Sequence, residues 1–324
     1  MSAAILTVTL NPALDQTILL DHLVPGEVHR ARGAALHAGG KGVNVASCLA
    51  DWSGNALTAS GILGADNQAA FTALFAAKGI ADGFLRVPGE TRTNIKLSHD
   101  GDTTDINLPG LTVPAEMQNT LADRVEELCV PGGLALLAGS LPADIEPAFY
   151  ATLLSRLAAR GVRVLLDTSG APLKAGLSGA VLPFAIKPNR AELEEFVGHE
   201  LADDDALLEA AHELNARGVE LVVVSLGAEG ALFVTAKQAL RASLPPLRAL
   251  STVGAGDAMM AGILAGLREG AALDRIARLG TAFAAGKLLR PGANLPPRQD
   301  VETLADQVQL QNLEIKVKAG GMEI

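Results

Sequence analysis

Asp257 closes the small-residue run Gly254-Ala255-Gly256 and opens an apolar stretch, AMMAGILAGL, whose pattern has a helical period. A helix N-terminus presents unpaired backbone N–H groups and the positive end of the helix dipole. A carboxylate at that point has two uses. It can cap the helix by accepting hydrogen bonds from the first turn. Alternatively, the small residues leave the N–H groups open to an anion such as a phosphate, and the acid stands beside it as a base. The spacing by itself leaves both open.

Other candidates fall just past apolar runs of strand length, where α/β proteins bind ligands. In TLNPALD, Asn11-Pro12 forces a turn, and Asp15 is either an Asx-turn carboxylate or an acceptor for ligand hydroxyls at a cleft rim. In HAGGKGVNVA, Gly39, Gly40 and Gly42 let backbone approach a ligand closely before a helix begins, and Lys41 and Asn44 can bind oxygen atoms; a plain glycine turn is the alternative. In TRTNIK, alternation puts Arg92, Asn94 and Lys96 on one strand face, an oxyanion grip if that face meets a cleft. In IKPNRAELEEF, Pro188 restrains Lys187, while Asn189 and Glu192 form either a capping box or a site for Mg²⁺ and its waters. VVVSLGAEG ends an apolar run in a glycine turn suited to the flank of a nucleotide.

These residues need a frame to hold them. Apolar runs at Ala4–Leu10, Ala56–Leu63, Leu134–Ser140, Arg163–Ser169, Pro183–Asn189 and Glu220–Gly227 alternate with helical patterns such as KGVNVASCLADW, DNQAAFTALFAAKG and PAFYATLLSRLAARG. That alternation predicts an α/β fold around a mostly parallel sheet. Two segments, QTILLDHLVPGEVHRARGAALHAGG and TRTNIKLSHDGDTTDINLPG, instead alternate polar and apolar residues around Pro-Gly and Asp-Gly turns. They predict a small separate sheet with one wet face, placed as a lid. The tail QNLEIKVKAGGMEI is expected to be weakly structured and peripheral.

Of the 324 residues 49% are hydrophobic, enough for a large core, and a net charge of −10 argues against nucleic-acid or membrane-surface binding. Cys48 and Cys129 lack a CxxC partner and read as buried thiols. The six histidines have no metal-ligand spacing, and no uncharged apolar run approaches the ~20 residues of a spanning helix. With no signal-peptide pattern at Met1, a cytoplasmic location is expected. The GxxxxGK[ST] spacing is absent, and no GxGxxG follows the first strand.

Taken in order, the motifs identify the chain as resembling the ribokinase/PfkB carbohydrate kinase family over nearly its full length. AGGKGVNVA resembles that family's N-terminal signature, STVGAGDAMMAGIL its C-terminal one, KPNRAE its N-x-x-E motif and SLGAEGA its nucleotide-side turn. TLNPALD, TRTNIKL and GSLPADI are similar to the phosphosugar branch. The resemblance implies a ribokinase-like three-layer α/β/α core (1–10, 38–90 and 112–312), a β lid (11–37 and 91–111) and a peripheral tail at 313–324. It implies transfer of phosphate from ATP, with Mg²⁺, to a phosphosugar: fructose 1-phosphate at O6, with tagatose 6-phosphate or fructose 6-phosphate as alternatives. A phosphosugar sensor without turnover is the rival of another class.

Asp257 would be the base, and Gly254, Ala255 and Gly256 the anion hole. Asp15, Gly39, Gly40, Asn44 and Ser140 would hold the sugar. Lys41, Arg92 and Arg30 would hold its phosphate. Lys187, Ser225, Gly227, Gly230, Thr252, Val253, Gly254 and Gly256 would line the nucleotide, and Glu192 with Asn189 would reach Mg²⁺ through water. The resemblance allows a homodimer paired through the lid.

Overall fold

The computed structural model describes residues 3–53, 56–245, 254–290 and 292–314. In chain order the elements are β1 (Ile5–Thr9), β2 (Ala13–Leu19), β3 (Gly33–Gly39), α1 (Lys41–Trp52), β4 (Leu57–Gly64), α2 (Ala69–Lys78), β5 (Ala81–Asp82), β6 (Leu85–Val87), β7 (Thr93–His99) and β8 (Asp102–Ile106). They continue as α3 (Ala115–Leu128), β9 (Leu134–Ala138), α4 (Phe149–Ala159), β10 (Arg163–Asp167), α5 (Gly170–Ser178), β11 (Ala185–Ile186), α6 (Arg190–Val197), α7 (Asp204–Ala216) and β12 (Leu221–Ser225). The last are β13 (Ala231–Val234), β14 (Ala239–Ser243), α8 (Ala255–Glu269), α9 (Leu273–Leu288), α10 (Arg298–Gln307) and β15 (Gln309–Leu313).

Among the described residues the main sheet runs β15-β14-β13-β12-β11-β10-β9-β1-β4-β5, with β6 also paired to β4. The six apolar runs become β12, β11, β10, β9, β1 and β4, adjacent and all parallel. Their alternate side chains feed two separate cores. Ile5, Leu134, Leu136 and Leu165 pack with α1, α8 and α9 on one face, and Leu6, Val8, Leu137 and Leu166 pack with α3, α4 and α7 on the other. A strand buried on both faces must be apolar throughout, which is why these runs do not alternate.

Two predicted boundaries change. The run Pro183–Asn189 keeps only Ala185–Ile186 as regular strand, with one isolated bridge from Asn189 to Ser225, because Pro183 and Pro188 bracket it and a proline has no N–H for a ladder. The start of the expected tail is also ordered: Gln309–Leu313 pairs antiparallel with β14 as an edge strand. Its alternating exposure suits an edge with one covered face. Residues 315–324 lie outside the described residues.

The excursions form a second sheet in the order β3-β2-β7-β8. Asp100 (φ 50°) and Gly101 (φ 86°) are both left-handed, the turn that joins β7 to β8 in a two-residue hairpin. Register places Asp15 beside His37 and Asn94, and Thr17 beside Lys96, on one polar face. The opposite face carries Ile18, Leu36, Ile95, Leu97 and Ile106.

Candidate active site

The carboxyl ends of β1, β9, β10 and β11 and the first turns of α1 and α8 converge on one cleft floor. Gly254, in the left-handed region at φ 83°, is the N-cap of α8, so Asp257 is the third helical residue and caps nothing. Its carboxylate instead accepts a hydrogen bond from Asn44 Nδ2 at 2.8 Å. Asn44 lies one turn after Lys41 on α1, and a three-residue spacing puts both on one helix face. Burial pushes the Asp257 carboxyl up to about 6, helped by the nearby Asp167 and opposed by Asn44, Lys41 and Lys187. That value suits a general base near neutral pH.

Asp167, at the end of β10, is the residue that organises this floor. It is 1% exposed, with Lys41 Nζ 2.9 Å from Oδ1 and Lys187 Nζ 3.5 Å from Oδ2. Burial would raise its pKa, but the two ammonium groups outweigh that and hold it ionised below the ordinary carboxylate range. Burial likewise opposes the charge on Lys41, and Asp167 more than offsets it. Lys187 follows β11 directly, and its Nζ stands 3.4 Å from where a Cβ on Gly256 would be, at the α8 N-terminus. Lys187, itself fixed by Asp167, thus stands beside the backbone N–H groups after Gly254. Sequence reading passed over Asp167 because it belongs to no motif; its place, at the carboxyl end of an apolar run, was the available signal.

The other candidates divide. Gly39 stands against Asp15, since a Cβ there would lie 2.7 Å from Asp15 Oδ2, and Gly40 lies against Thr9 and Pro12. Asn94 Nδ2 donates to Asp15 Oδ1 at 3.4 Å, and burial raises the Asp15 carboxyl above its usual range. Ser140 Oγ accepts from Asn11 Nδ2 at 3.1 Å, tying the end of β9 to the β1 turn. Lys41 stands on the floor, its Nζ 2.9 Å from Asp167 Oδ1 and within electrostatic reach of Asp257.

Arg92 precedes β7, so only Asn94 and Lys96 share the strand face expected for all three. Its guanidinium donates to the carbonyls of Pro12 (3.4 Å), Leu108 (3.2 Å) and Asn11 (3.2 Å), clasping the two lid segments together. Arg30 lies exposed in the loop between β2 and β3, and no hydrogen bond or ion pair joins it to the cluster among the described residues. A loop of that length leaves its long side chain in solvent.

Asn189 and Glu192 form the capping box of α6: Asn189 Oδ1 accepts from Glu192 N at 2.8 Å, and Glu192 Oε2 accepts from Asn189 N at 2.9 Å. Among the described residues no group of three or more His, Cys, Asp or Glu side chains could hold a metal. Mg²⁺ keeps several waters and takes one or two carboxylates beside substrate phosphates. Glu192 fits that need, because the cap uses one of its oxygens and its charge is felt at Lys41 on the floor. Asn189 spends its oxygen on the helix and so acts by orienting Glu192.

Ser225 ends β12 and donates its N–H to Pro188 O at 3.0 Å, which joins this turn to Lys187. Gly227 and Gly230 turn β12 into the antiparallel β13; a Cβ on Gly230 would lie 2.0 Å from Ala242 O, so no other residue fits. Thr252 and Val253 lie outside the described residues.

Known proteins resemble this chain in sequence and in fold. Residues 8–300 match the model of the pfkB family carbohydrate kinases. The chain is 52% identical to the 1-phosphofructokinase of Xanthomonas campestris pv. campestris over 293 residues, 89% of this chain and 92% of that one. It is 39% identical to the 1-phosphofructokinase of Escherichia coli K12, over 96% of this chain and 99% of the relative. The crystal structure of phosphofructokinase-2 from Escherichia coli in complex with fructose-6-phosphate superposes with a TM-score of 0.86 at 28% identity, covering 94% of this chain and 98% of that one. Fold, motif order and matched length agree: this chain belongs to the pfkB family of carbohydrate kinases.

Proposed function

We propose that this chain is a 1-phosphofructokinase, moving the γ-phosphoryl group of ATP to the 6-hydroxyl of fructose 1-phosphate to form fructose 1,6-bisphosphate and ADP. The observation that carries the reading is Asp257 at the start of α8, hydrogen-bonded to Asn44 and flanked by the Lys41–Asp167–Lys187 cluster. The names of the relatives at 52% and 39% identity support the choice of phosphosugar. A sensor without turnover has no use for a carboxyl tuned to about 6 beside an anion hole.

Phosphoryl transfer depends mainly on positioning and on stabilising charge at the moving group. Asp257 accepts the proton of the attacking hydroxyl while Asn44 fixes its orientation. The N–H groups of Ala255 and Gly256, with Lys41 and Lys187, receive the negative charge of the group in flight. When bound, Mg²⁺ neutralises the nucleotide phosphates, and Glu192 is the residue that would hold its waters. Asp15, Gly39, Gly40, Asn94 and Ser140 line the sugar side. The phosphate already on the sugar belongs at the lid, where Arg92 would exchange carbonyl partners for it. Ser225, Gly227 and Gly230 border the nucleotide.

Segments 11–37 and 91–111 act as the lid, with their polar face toward the cleft. A second copy of the chain pairs on the opposite face, where Leu36 is 52% and Ile106 44% exposed. Away from the hairpin end, where Asp102 lies opposite His99, the strand positions there carry no charge, so two copies of an acidic chain can meet over Leu36 and Ile106 without bringing like charges together.

The test is turnover with ATP and Mg²⁺ on fructose 1-phosphate, fructose 6-phosphate, tagatose 6-phosphate and free fructose. Fructose 1-phosphate is expected to have the highest kcat/KM and free fructose the lowest. A preference for tagatose 6-phosphate would overturn the substrate, and a preference for free sugars would overturn the phosphosugar reading.

A further inference from the structure

Among the described residues three Asp, Glu, Lys or Arg side chains are almost wholly buried: Asp167, Lys187 and Lys287. The first two neutralise each other on the cleft floor. Lys287, in the last turn of α9, is 3% exposed and has no carboxylate within ion-pair distance among the described residues. Leaving an ammonium in such a place is expensive, and a chain that only needed to fill the space would use Leu or Met. Desolvation accordingly depresses the Lys287 pKa, against the pull of neighbours that include Asp257.

Its surroundings show what the charge is set against. Nζ donates to the carbonyl of Arg290 at 3.4 Å, at the negative end of the α9 dipole. On the other side Cε lies 3.5 Å from where a Cβ on Gly254 would be, so the side chain runs against the N-cap of α8. The ammonium is thus wedged between the carbonyl end of one helix and the N–H end of the other. A positive charge behind the N-terminus of α8 adds to its dipole, which is unfavourable when the site is bare and favourable once an anion sits there.

We propose that Lys287 is a built-in monovalent cation: held by the carbonyl end of α9, it backs the α8 anion hole and positions it for phosphoryl transfer. This rests on the reading of the site given above. It makes Lys287 a positioning residue, and it means that the chain needs no monovalent cation from solution for that purpose. Truncating the side chain would leave a gap beside the Arg290 carbonyl that a small cation can occupy, whereas a neutral side chain of equal length would leave neither charge nor gap.

The experiment compares wild type, Lys287→Met and Lys287→Ala. Turnover of ATP with fructose 1-phosphate and thermal unfolding are measured in potassium, ammonium or tetramethylammonium chloride at equal ionic strength. Wild type should run at one rate in all three salts. Lys287→Met should lose ~10–100-fold in kcat in every salt, somewhat less than removal of a direct anion-hole donor. Lys287→Ala should lose as much in tetramethylammonium, recover severalfold in potassium or ammonium, and show a higher Tm in those two salts, as binding to the folded state requires. Activation of wild type by potassium, a wild-type kcat in Lys287→Met, or a salt-indifferent Lys287→Ala would each overturn the proposal. If wild type turns over no sugar phosphate, the proposed function fails, and the cation-specific Tm of Lys287→Ala still decides the role of Lys287.

Discussion

On the cleft floor, Lys41, Asp167, Lys187 and Asp257 project from strand ends and helix starts whose apolar sides are sealed into two cores. In the second sheet, Asp15, Asn94, Lys96 and Asp105 project from three of its four strands, which have little behind them but the opposite face of the same sheet. Charges on the floor change one another strongly, because little water remains to screen them. Asp257 is raised to about 6 while Asp167, near enough to act on it electrostatically, is held ionised. The lid pair Lys96–Asp105 is just as close at 3.2 Å, yet Asp105 is 45% exposed and such a pair contributes little. Burial is therefore spent where reactivity is needed, and the lid keeps the exposure that binding and release require.

The largest effect expected from this contrast is at Asp257. Asp257→Asn should lower kcat ~10²–10⁴-fold, the usual range for a general base, while Tm and both KM values stay near wild type. Because the base must be ionised and its carboxyl lies near 6, wild-type kcat/KM should fall as pH drops through about 6. A folded Asp257→Asn enzyme with normal turnover would remove the chemistry from the floor.

Next in size is Asp167→Asn. It leaves Lys41 and Lys187 facing each other without their shared anion, and a loss of ~10–100-fold in kcat is expected for a disturbed anion hole. It also removes one of the groups that raise the Asp257 carboxyl, so the acid limb of the pH profile should move below 6. An unmoved limb would show that the floor charges are not coupled.

At the edge of the floor, Glu192→Gln should raise the Mg²⁺ concentration needed for half-maximal rate severalfold and leave Tm almost unchanged, because glutamine still completes a capping box. Asn189→Ala should do the reverse, losing ~1 kcal/mol of stability with a similar Mg²⁺ profile. Titrations of rate against Mg²⁺, paired with thermal melts, separate the two.

The smallest effect belongs to the lid. Leu36→Asp puts a charge on its exposed apolar face, and the molecular mass in solution should fall to that of one chain. The sugar KM should rise only a few-fold, ~1 kcal/mol or less, and kcat should hold, since Leu36 lies on the face opposite Asp15 and Asn94. A collapse of kcat would mean that the lid shares in the chemistry, and the contrast would fail.

Much of this was legible before any coordinates. Six strands were readable because a strand buried on both faces admits only apolar residues, as in LALLA and LVVVS. The lid was readable from its alternation and its Pro-Gly and Asp-Gly turns, and α1 from a helical pattern that starts at Lys41 after the glycine pair. The antiparallel continuation through β13, β14 and β15 was not read, because strands of four or five residues are too short to show whether they run parallel or antiparallel.

Local chemistry determined which residue types stand at each strand end: Gly254 to Asp257, Gly39 to Asn44, Lys187 to Glu192. Tertiary structure alone decided which of them meet. Asn44 and Asp257 are 213 positions apart, and their bond exists because α1 packs beside α8. Lys41 is held by Asp167, a carboxylate 126 positions away with no motif to mark it. Arg92 and Arg30, equal as cations in the chain, were separated by the carbonyls that the fold does or does not bring to them. Hydrogen bonding and hydropathy act on near neighbours and so can be read along a chain, whereas desolvation and charge coupling depend on what is folded around a group.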